Sequence, residues 1–383
     1  MPWVGTVEEQ RREFLAEFRA AGANRREVCR RWRIGAKTGY ALDARERAEG
    51  EAGLRDRSRR PKTSPRKTAS EVEARVLGVR GAHPAWGGRK IAKVLSREGL
   101  LEVPAPSTIT QILRRHGRIS EEASQQRKPV RRFERARANE LWQMDFKGHF
   151  ALHAGGRCHP LVLLDDHSRY CIALRACADE RGVTVQAELE RAFHEHGLPE
   201  EMLMDNGSPW GNDRVHVYTP LVVWLLQLDI RVTHGRPRHP QTQGKLERLN
   251  LTLEQEVLRQ TDFGTNEEVQ RCGFDRFRPS YNHERPHEAL AMEVPASRYE
   301  PSSRSYPERL PVIEYDEGEI VRRVQDKGMI RYRGATYRVP KAFRGHAVAL
   351  RPGTVDGEVE VYFGRHRIAV IDRRGGRARP VRG

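Results

Sequence analysis

The sequence predicts a multidomain chain with α-helical helix-turn-helix domains at the N-terminus, an α/β core in the middle and a small β barrel at the C-terminus. A length of 383 residues exceeds one typical domain of about 100 to 200 residues. The charge divides the chain into three parts, with a net +16 over residues 1–138, −7 over residues 139–300 and +8 over residues 301–383. The spacing of apolar residues changes at similar positions, from helical to mixed and then to alternating.

Composition limits the class of protein. The apolar fraction of 37% is enough for packed cores. No run of about 18 apolar residues could span a membrane, and the first ten residues lack the order of a signal peptide. We therefore expect a cytoplasmic protein, nucleoid-associated in a prokaryote, with no membrane partner. The five cysteines form no C-x-x-C pair, so we expect them to be reduced and structural.

The first predicted domain, residues 1–52, has the helix-turn-helix order. Residues 6–21 and two shorter segments after them follow helical periodicity, with the turn RIG before the third segment. In this interpretation the third helix presents to a DNA groove the side chains of Lys37, Thr38 and Tyr40. A plain three-helix bundle with a solvated basic face is the alternative.

Two basic segments without an apolar period are expected to be linkers. The first, residues 53–68, is rich in Arg, Lys, Pro and Ser, and the second covers residues 119–138. Basic side chains neutralise phosphates without reading the base sequence. We therefore expect the first linker to follow the DNA backbone, with contacts from Arg59, Arg60 and Lys62.

Residues 69–118, between the linkers, contain a second set of three helical segments. Ile91, Val94 and Leu95 share one face of the middle segment, as an amphipathic helix requires. This pattern indicates a second helix-turn-helix domain, for which a winged form stays open. Basic flanks with helix-turn-helix order are typical of proteins that bind nucleic acid.

The core, residues 139–300, begins with three apolar runs that are typical of a strand meander. Helices and strands then alternate up to a long helix that starts near Gln243. This order predicts a mixed sheet of the ribonuclease-H-like kind. Short alternating strands over residues 310–373 predict the small β barrel, and residues 374–383 are expected to form a basic tail.

Two carboxylates in the core, Asp145 and Asp205, stand in apolar strand segments, where a charge is costly unless it is paired or binds metal, and a third lies on the long helix. Asp145 lies in the strand segment WQMD, and Asp205 ends the strand segment MLMD before an Asn-Gly turn. Glu247 lies beside the apolar stripe of the long helix, so it can face the strand ends while the leucines hold the helix to the sheet. These three side chains are the candidate catalytic residues.

Five ordered motifs carry a family resemblance: WQMD, LLDDHSRY, DNGSPWG, HPQTQGKLERLN and YNHERPHEAL. Together they resemble the catalytic core of insertion-sequence transposases of the DDE type, which is similar to the core of retroviral integrases. The resemblance covers about residues 139–300, and the helix-turn-helix domains and the barrel also look familial. Any one of these motifs would be a weak signal, whereas five in order are specific.

The resemblance implies a DNA transposase that acts in DNA integration and recombination. Asp145, Asp205 and Glu247 would hold two divalent ions, Mg²⁺ or Mn²⁺, for DNA strand cleavage and strand transfer. Asp145 would bridge both ions, and each of the other two acids would hold one. Gln243 and Lys245 would lie near the DNA end. The expected partners are the terminal repeats of the element, target DNA and further copies of the chain, with at least a dimer on DNA.

Two departures from the family pattern are visible. The 41 residues between Asp205 and Glu247 exceed the tight spacing of the family and predict a longer loop around residues 209–218. The zinc-binding His/Cys module that precedes retroviral cores is absent, so its role would fall to the helical domains.

Other polar clusters have plainer interpretations. Asp165 and Asp166 are expected to cap the turn before HSRY. His234 and His239 flank GRPR and are expected to contact DNA or to shape their loop rather than to bind metal. A zinc site at the H-x₃-H pair of YNHERPHEAL is disfavoured, because a proline lies between the two histidines.

Two rival functions are compatible with parts of the pattern. A helix-turn-helix regulator built on an inactive core would not need three intact acids. A nuclease of the ribonuclease-H type would not need two basic DNA-reading modules. The complete set of features therefore favours transposition.

Overall fold

A computed structural model of the chain describes residues 6–57, 67–119, 134–205, 207, 209–210, 218–235 and 244–381. The chain divides into two compact units, residues 1–67 and residues 68–383. Within the described ranges, no helix combines the length and the apolar character needed to cross a membrane. Several residues singled out from the sequence lie outside the described residues, namely Arg59, Arg60, Lys62, His239 and Gln243.

The first unit contains the three helices predicted for residues 1–52. They are α1 (Val7–Arg19), α2 (Arg25–Arg31) and α3 (Ala36–Glu49). Thr6 begins α1 with a capping box, since its hydroxyl accepts from the backbone N–H of Glu9. At Gly39 a Cβ would lie 2.6 Å from Sγ of Cys29, so α3 approaches α2 closely there. The helices enclose a small core of Phe14, Leu15, Phe18, Val28, Cys29 and Leu54.

The second unit begins with the second predicted set of helices. They are α4 (Ser70–Ala82), α5 (Gly88–Arg97) and α6 (Pro106–Arg115). Their shared core consists of Val76, Trp86, Ile91, Leu95, Ile109, Ile112 and Leu113. Residues 67–119 contain no strand, so no wing is present in that described segment.

Ion pairs join α5 to Glu288 and Glu293, which lie near the end of the predicted core. Nζ of Lys93 and Nη2 of Arg97 lie 2.8 and 2.9 Å from the two carboxylate oxygens of Glu293. Arg89 approaches Glu288 at 3.9 Å nearby. The second helix-turn-helix domain and the core therefore belong to one compact unit.

The core contains the mixed sheet that the sequence predicts. Its strands are β1 (Trp142–Phe146), β2 (Phe150–Ala151), β3 (Arg157–Asp165), β4 (Cys171–Cys177), β5 (Glu201–Met204) and β6 (Arg231–His234). Strands β4, β3 and β1 are antiparallel neighbours, while β1, β5 and β6 are parallel neighbours. The short β2 pairs with the start of β3. The helices that cover this sheet are α7 (Gly182–His196), α8 (Pro220–Gln227) and α9 (Gly244–Leu253).

The two faces of the sheet bury different sets of residues. Trp142 and Met144 of β1 belong to the core that α7 and α8 cover. Asp145 alternates to the opposite face, level with Val162 of β3, and Val162 packs in the core that α9 covers. The alternation of β1 therefore directs Asp145 toward the α9 side of the sheet.

Helical structure continues beyond α9. A π-helical turn follows directly, a second one comes after α10, and a third one comes after α11. The segments are Glu254–Leu258, α10 (Asn266–Glu268), Val269–Phe274, α11 (Asp275–Pro279) and Ser280–Glu284. Phe274, Phe277 and Tyr281 from this region are buried beside the leucines of α9. The long helix predicted to start near Gln243 is thus confirmed from Gly244 onward.

The C-terminal strands form an open five-stranded sheet and a separate two-stranded sheet, not the barrel that the sequence predicts. The strands are β7 (Ile320–Arg323), β8 (Met329–Tyr332), β9 (Ala335–Arg338), β10 (Ala347–Pro352), β11 (Glu358–Phe363), β12 (His366–Asp372) and β13 (Arg377–Pro380). The sheet order β13–β12–β11–β10–β7 ends at two edges, and β8 and β9 pair only with each other. A barrel requires hydrogen bonds between its first and last strands, and the described strands make none. The expected basic tail also contributes a strand, β13, to this sheet.

Candidate active site

Asp145 and Asp205 stand at the same end of two neighbouring parallel strands. Gln143 of β1 pairs with Leu203 of β5. Since parallel strands advance in step, two further residues along each strand bring Asp145 level with Asp205. The carboxyl ends of parallel strands are where α/β proteins bind ligands. Continuation of this register brings the two predicted site residues close together, and the charge of Asp205 acts on Asp145 accordingly.

Asp145 is a half-buried carboxylate among other negative charges. Burial is the largest cause of its raised pKa, and repulsion from Asp205 comes next. A hydrogen bond from the backbone N–H of Phe146 opposes the shift, whereas Glu180 and Glu247 add to it. Together these effects raise the pKa of Asp145 to about 7. A nearby cation would reverse the repulsion.

A turn after β5 orients Asp205. Its Oδ1 accepts from the backbone N–H of Gly207 at 2.9 Å. Its backbone carbonyl lies 2.7 Å from Nδ1 of His234, which ends β6. His234 therefore contacts the backbone of a site residue, in keeping with its expected part in shaping this region.

Glu247 lies on the first turn of α9 and is exposed to solvent. Leu246, Leu249 and Leu253 of the same helix are fully buried against the α9 side of the sheet. The charge of Glu247 contributes to the raised pKa of Asp145, so the two groups are within electrostatic range. The predicted leucine stripe holds the helix, and Glu247 stands beside it as expected.

Two ion pairs fasten α9 and its continuation to the sheet. Nζ of Lys147, the residue after β1, lies 2.5 Å from Oε2 of Glu254. At the start of the helix, Nζ of Lys245 lies 2.5 Å from Oδ1 of Asp166, which follows β3. Glu247 lies between the two, so its place beside the sheet is set from both sides.

The carboxylate of Asp166 is fully buried, and both of its oxygens accept hydrogen bonds. It accepts from Nε2 of Gln143 at 2.7 Å, from the backbone N–H of Arg135 at 2.8 Å and from Lys245. Burial lowers the pKa of Lys245 to about 8, and the hydrogen bond to Asp166 partly offsets that shift. A buried ion pair of this kind depends on both partners.

The expected capping role is confirmed for Asp165. Its Oδ1 accepts from the backbone N–H and the hydroxyl of Ser168 at 2.7 and 2.6 Å. The role of Asp166 in holding α9 was missed by the sequence analysis. A signal that could have indicated it is Gln143, a polar side chain on the same strand face as Asp145, because a buried amide needs a partner.

The predicted DNA contacts of the first unit lie on an accessible helix. Lys37, Thr38 and Tyr40 are all exposed on α3. Lys245, which the resemblance puts near the DNA end, is directed to Asp166. A contact of any of these four side chains with DNA stays a prediction.

Comparisons with protein families agree with this architecture. A helix-turn-helix domain matches residues 10–62, and a homeodomain-like domain matches residues 38–113. Two integrase core domain models match residues 135–240 and residues 228–295. The C-terminal domain of the IS481 transposase family matches residues 319–379.

The middle of the chain is therefore an integrase core of the ribonuclease-H-like fold, preceded by helix-turn-helix DNA-binding domains. The match at the C-terminus indicates which class of integrase-core protein this is, because that domain comes from a transposase family. The chain therefore combines the domains of an insertion-sequence transposase with an integrase core. The resemblance carried by the five sequence motifs is thus confirmed.

Solved structures of viral integrases are similar to parts of the chain. The catalytic core domain of HTLV-2 integrase in complex with magnesium, in a trimeric form, has 14% sequence identity and a TM-score of 0.33. That match covers 43% of this chain and 99% of the viral chain. A simian T-cell lymphotropic virus intasome in complex with PP2A regulatory subunit B56 gamma has 17% identity and a TM-score of 0.37, with coverage of 72% and 96% respectively.

The pKa of Asp145 predicts how its amide will affect stability without metal. The pKa of Asp145 is about 7 in the folded protein and 3.8 ordinarily. Between pH 3.8 and about pH 7, Asp145 therefore keeps a proton in the folded protein that it has lost in the unfolded chain. Asp145 therefore destabilises the fold increasingly as the pH rises through that window. We expect Asp145→Asn to raise Tm at pH 8 by a few degrees more than at pH 5, at about 2–4 °C per kcal/mol. Thermal unfolding in a chelator measures this difference, and an equal gain at both pH values would contradict the assignment.

The buried ion pair predicts a second effect on stability. Lys245→Met leaves the Asp166 carboxylate buried without its cation, which we expect to cost about 3–5 kcal/mol. Arg248→Met, at an exposed position of the same helix, should change stability by less than about 0.5 kcal/mol. Denaturant unfolding measures both variants. Unchanged stability of Lys245→Met with weakened DNA binding would show that Lys245 serves DNA rather than the helix.

Proposed function

We propose that this transposase binds the ends of its insertion sequence and catalyses DNA strand cleavage and strand transfer with two divalent metal ions. Asp145, Asp205 and Glu247 are the proposed catalytic residues and metal ligands, which makes the chain a transposase of the DDE type. The observation that carries the proposal is the position of Asp145, half buried at a strand end where the charges of Asp205 and Glu247 act on it.

The three carboxylates fit Mg²⁺ or Mn²⁺. They offer only oxygen donors, which these hard ions prefer. The site also disfavours its own negative charge, as the raised pKa of Asp145 indicates, so a cation would stabilise it. When bound, such ions would stabilise the charge on the attacking and leaving oxygens of a phosphodiester during in-line displacement.

The chain supplies the positions of these ligands through packed elements. Asp145 belongs to β1, which pairs on both sides, and it must release a proton before it can act as a ligand. Asp205 is oriented by the Gly207 N–H and by His234. Glu247 is held by a helix that is anchored at both ends. Ligands on rigid elements keep their geometry better than ligands on loops.

Most of the DNA affinity is assigned to the parts outside the acidic core. Residues 1–138 have a net charge of +16 and residues 301–383 a net charge of +8, whereas residues 139–300 have a net charge of −7. Since phosphate neutralisation supplies most sequence-independent affinity, the basic parts must provide it. The proposed DNA contacts are Lys37, Thr38, Tyr40, Arg59, Arg60, Lys62, Gln243 and Lys245.

Amide substitutions test the catalytic assignment. Asp145→Asn, Asp205→Asn and Glu247→Gln each remove one charged ligand, and we expect each to lower the rate of end cleavage and strand transfer at least about 100-fold. Affinity for end-containing DNA should change little, because other domains bind it. Rates with Mg²⁺ and binding by the same proteins to one labelled duplex measure the two properties.

Glu267→Gln is the matched control for these amides, since Glu267 is an exposed acid elsewhere in the core. It should retain full activity. Substantial Mg²⁺-dependent activity in any one triad amide would remove that residue from the proposed site, and a loss in all four variants would point to a general effect of charge.

We further propose that the active form on DNA is at least a dimer. One chain offers one acidic triad, whereas movement of an element requires reactions at two ends. We expect light scattering of the protein with short end-containing duplexes to give a mass of two chains or more, while the free protein is smaller because its basic parts repel one another. Paired-end strand transfer by a complex with a single chain would overturn this proposal.

A further inference from the structure

Three donor side chains lie close together near the end of β1, and none of them belongs to the acidic triad. His149 follows β1, His159 lies on β3, and Glu180 precedes α7. One possible ligand atom from each lies within 4.8 Å of the other two. In the part of the chain that the structure describes, no other three His, Cys, Asp or Glu residues are so closely spaced.

The fold brings these three residues together from separate segments. His159 pairs with Cys177 across β3 and β4, only three residues before Glu180. Nδ1 of His159 lies 2.8 Å from Oε1 of Glu180. The rings of His149 and His159 have centroids 5.3 Å apart. His159 and Glu180 are therefore half buried, with His159 held in a strand of the sheet, while His149 is exposed beside them.

We propose that His149, His159 and Glu180 form a Zn²⁺ site that is separate from the acidic triad. Two imidazole nitrogens and one carboxylate oxygen are a donor set that zinc uses when its fourth position is left open to water or to another ligand. Imidazole suits zinc and similar transition metals, whereas Mg²⁺ prefers oxygen donors. Ligand chemistry would thus direct different ions to the two neighbouring sites.

The distances require only a small adjustment for zinc. With metal–ligand bonds of about 2.0–2.1 Å, the donors of a tetrahedral site lie about 3.3 Å apart. The contact between His159 and Glu180 would open by about half an ångström, because a metal ion would replace their hydrogen bond. His149 would move toward them, which its exposed position outside the strands allows.

A positively charged group already lies at the cluster. Nη1 of Arg157 is 3.1 Å from Nε2 of His149. A metal ion would bind through a lone pair of the same kind of imidazole nitrogen. Arg157 is exposed, so its side chain can turn away into solvent. In this arrangement Arg157 competes with the metal, and its removal should strengthen metal binding. A histidine–carboxylate hydrogen bond without any metal function would give no such effect.

Metal titration of the untagged chain of 383 residues tests the proposal. After treatment with a chelator, we expect the protein to bind one equivalent of Zn²⁺ in the presence of millimolar Mg²⁺, measured by competition with a chromophoric zinc indicator. His149→Ala and Glu180→Gln should each weaken that binding at least about 100-fold, since each removes a ligand. Arg157→Ala should bind zinc more tightly than the parent protein. Co²⁺ in place of Zn²⁺ should give absorption bands of nitrogen and oxygen coordination.

Two controls separate this site from other zinc-binding groups. His194→Ala removes an exposed histidine of α7 and should bind zinc as the parent protein does. Asp205→Asn, in the acidic triad, should also keep the zinc equivalent, so the result is independent of the proposed catalytic site. The proposal is overturned if the parent protein binds no zinc equivalent under these conditions. It is equally overturned if His149→Ala binds like the parent, or if Co²⁺ shows thiolate charge-transfer bands.

Discussion

Repulsion between carboxylates is the constraint on which the arrangement of the core depends. Asp145 is buried far enough that its negative charge is disfavoured, and Asp205 and Glu247 make it more so. Without a cation these three carboxylates repel one another, so the surrounding structure must hold them in place. Strand pairing on both sides of β1, the leucines of α9 and the buried pair of Lys245 with Asp166 provide that support. The energy of packing and of ion pairs elsewhere therefore maintains an unfavourable concentration of charge.

Much of the fold could be predicted because its signals are local. The alternation in WQMD correctly separated the two faces of β1, and the periodicity of the core segments correctly indicated α7, α8 and α9. Barrel closure could not be judged in the same way, since it depends on whether distant strands pair. Strand β13 was missed because its sequence RARP has no alternation of apolar residues and resembles a solvated tail. It pairs because β12 presents a free edge to it.

In the candidate site, too, local features could be predicted from the sequence and contacts between distant segments could not. Asp145 and Asp205 could be selected because each stands in an apolar strand segment, and Glu247 because it lies beside the leucine stripe of the long helix. The partner of Lys245 could not, because Asp166 lies 79 positions away and the contact depends on where α9 packs. His149, His159 and Glu180 also carry no spacing motif, and only the pairing of β3 with its neighbours brings them together. Contacts that cross the fold are therefore what the sequence leaves undetermined here.

The contact between α5 and the core bears on the distance along DNA between a bound sequence and the site of reaction. Lys93 and Arg97 of α5 form ion pairs with Glu293. Helices α5 and α6 belong to the same compact unit as Asp145. A linker of variable extension would leave the separation between a bound sequence and the site of reaction undefined. Under the proposed function, the ion pairs of α5 would instead fix that separation, so that the fold would set the number of base pairs between recognised sequence and reacting phosphate. An insertion or deletion in the DNA between those two points would then be felt as a change of both distance and helical phase.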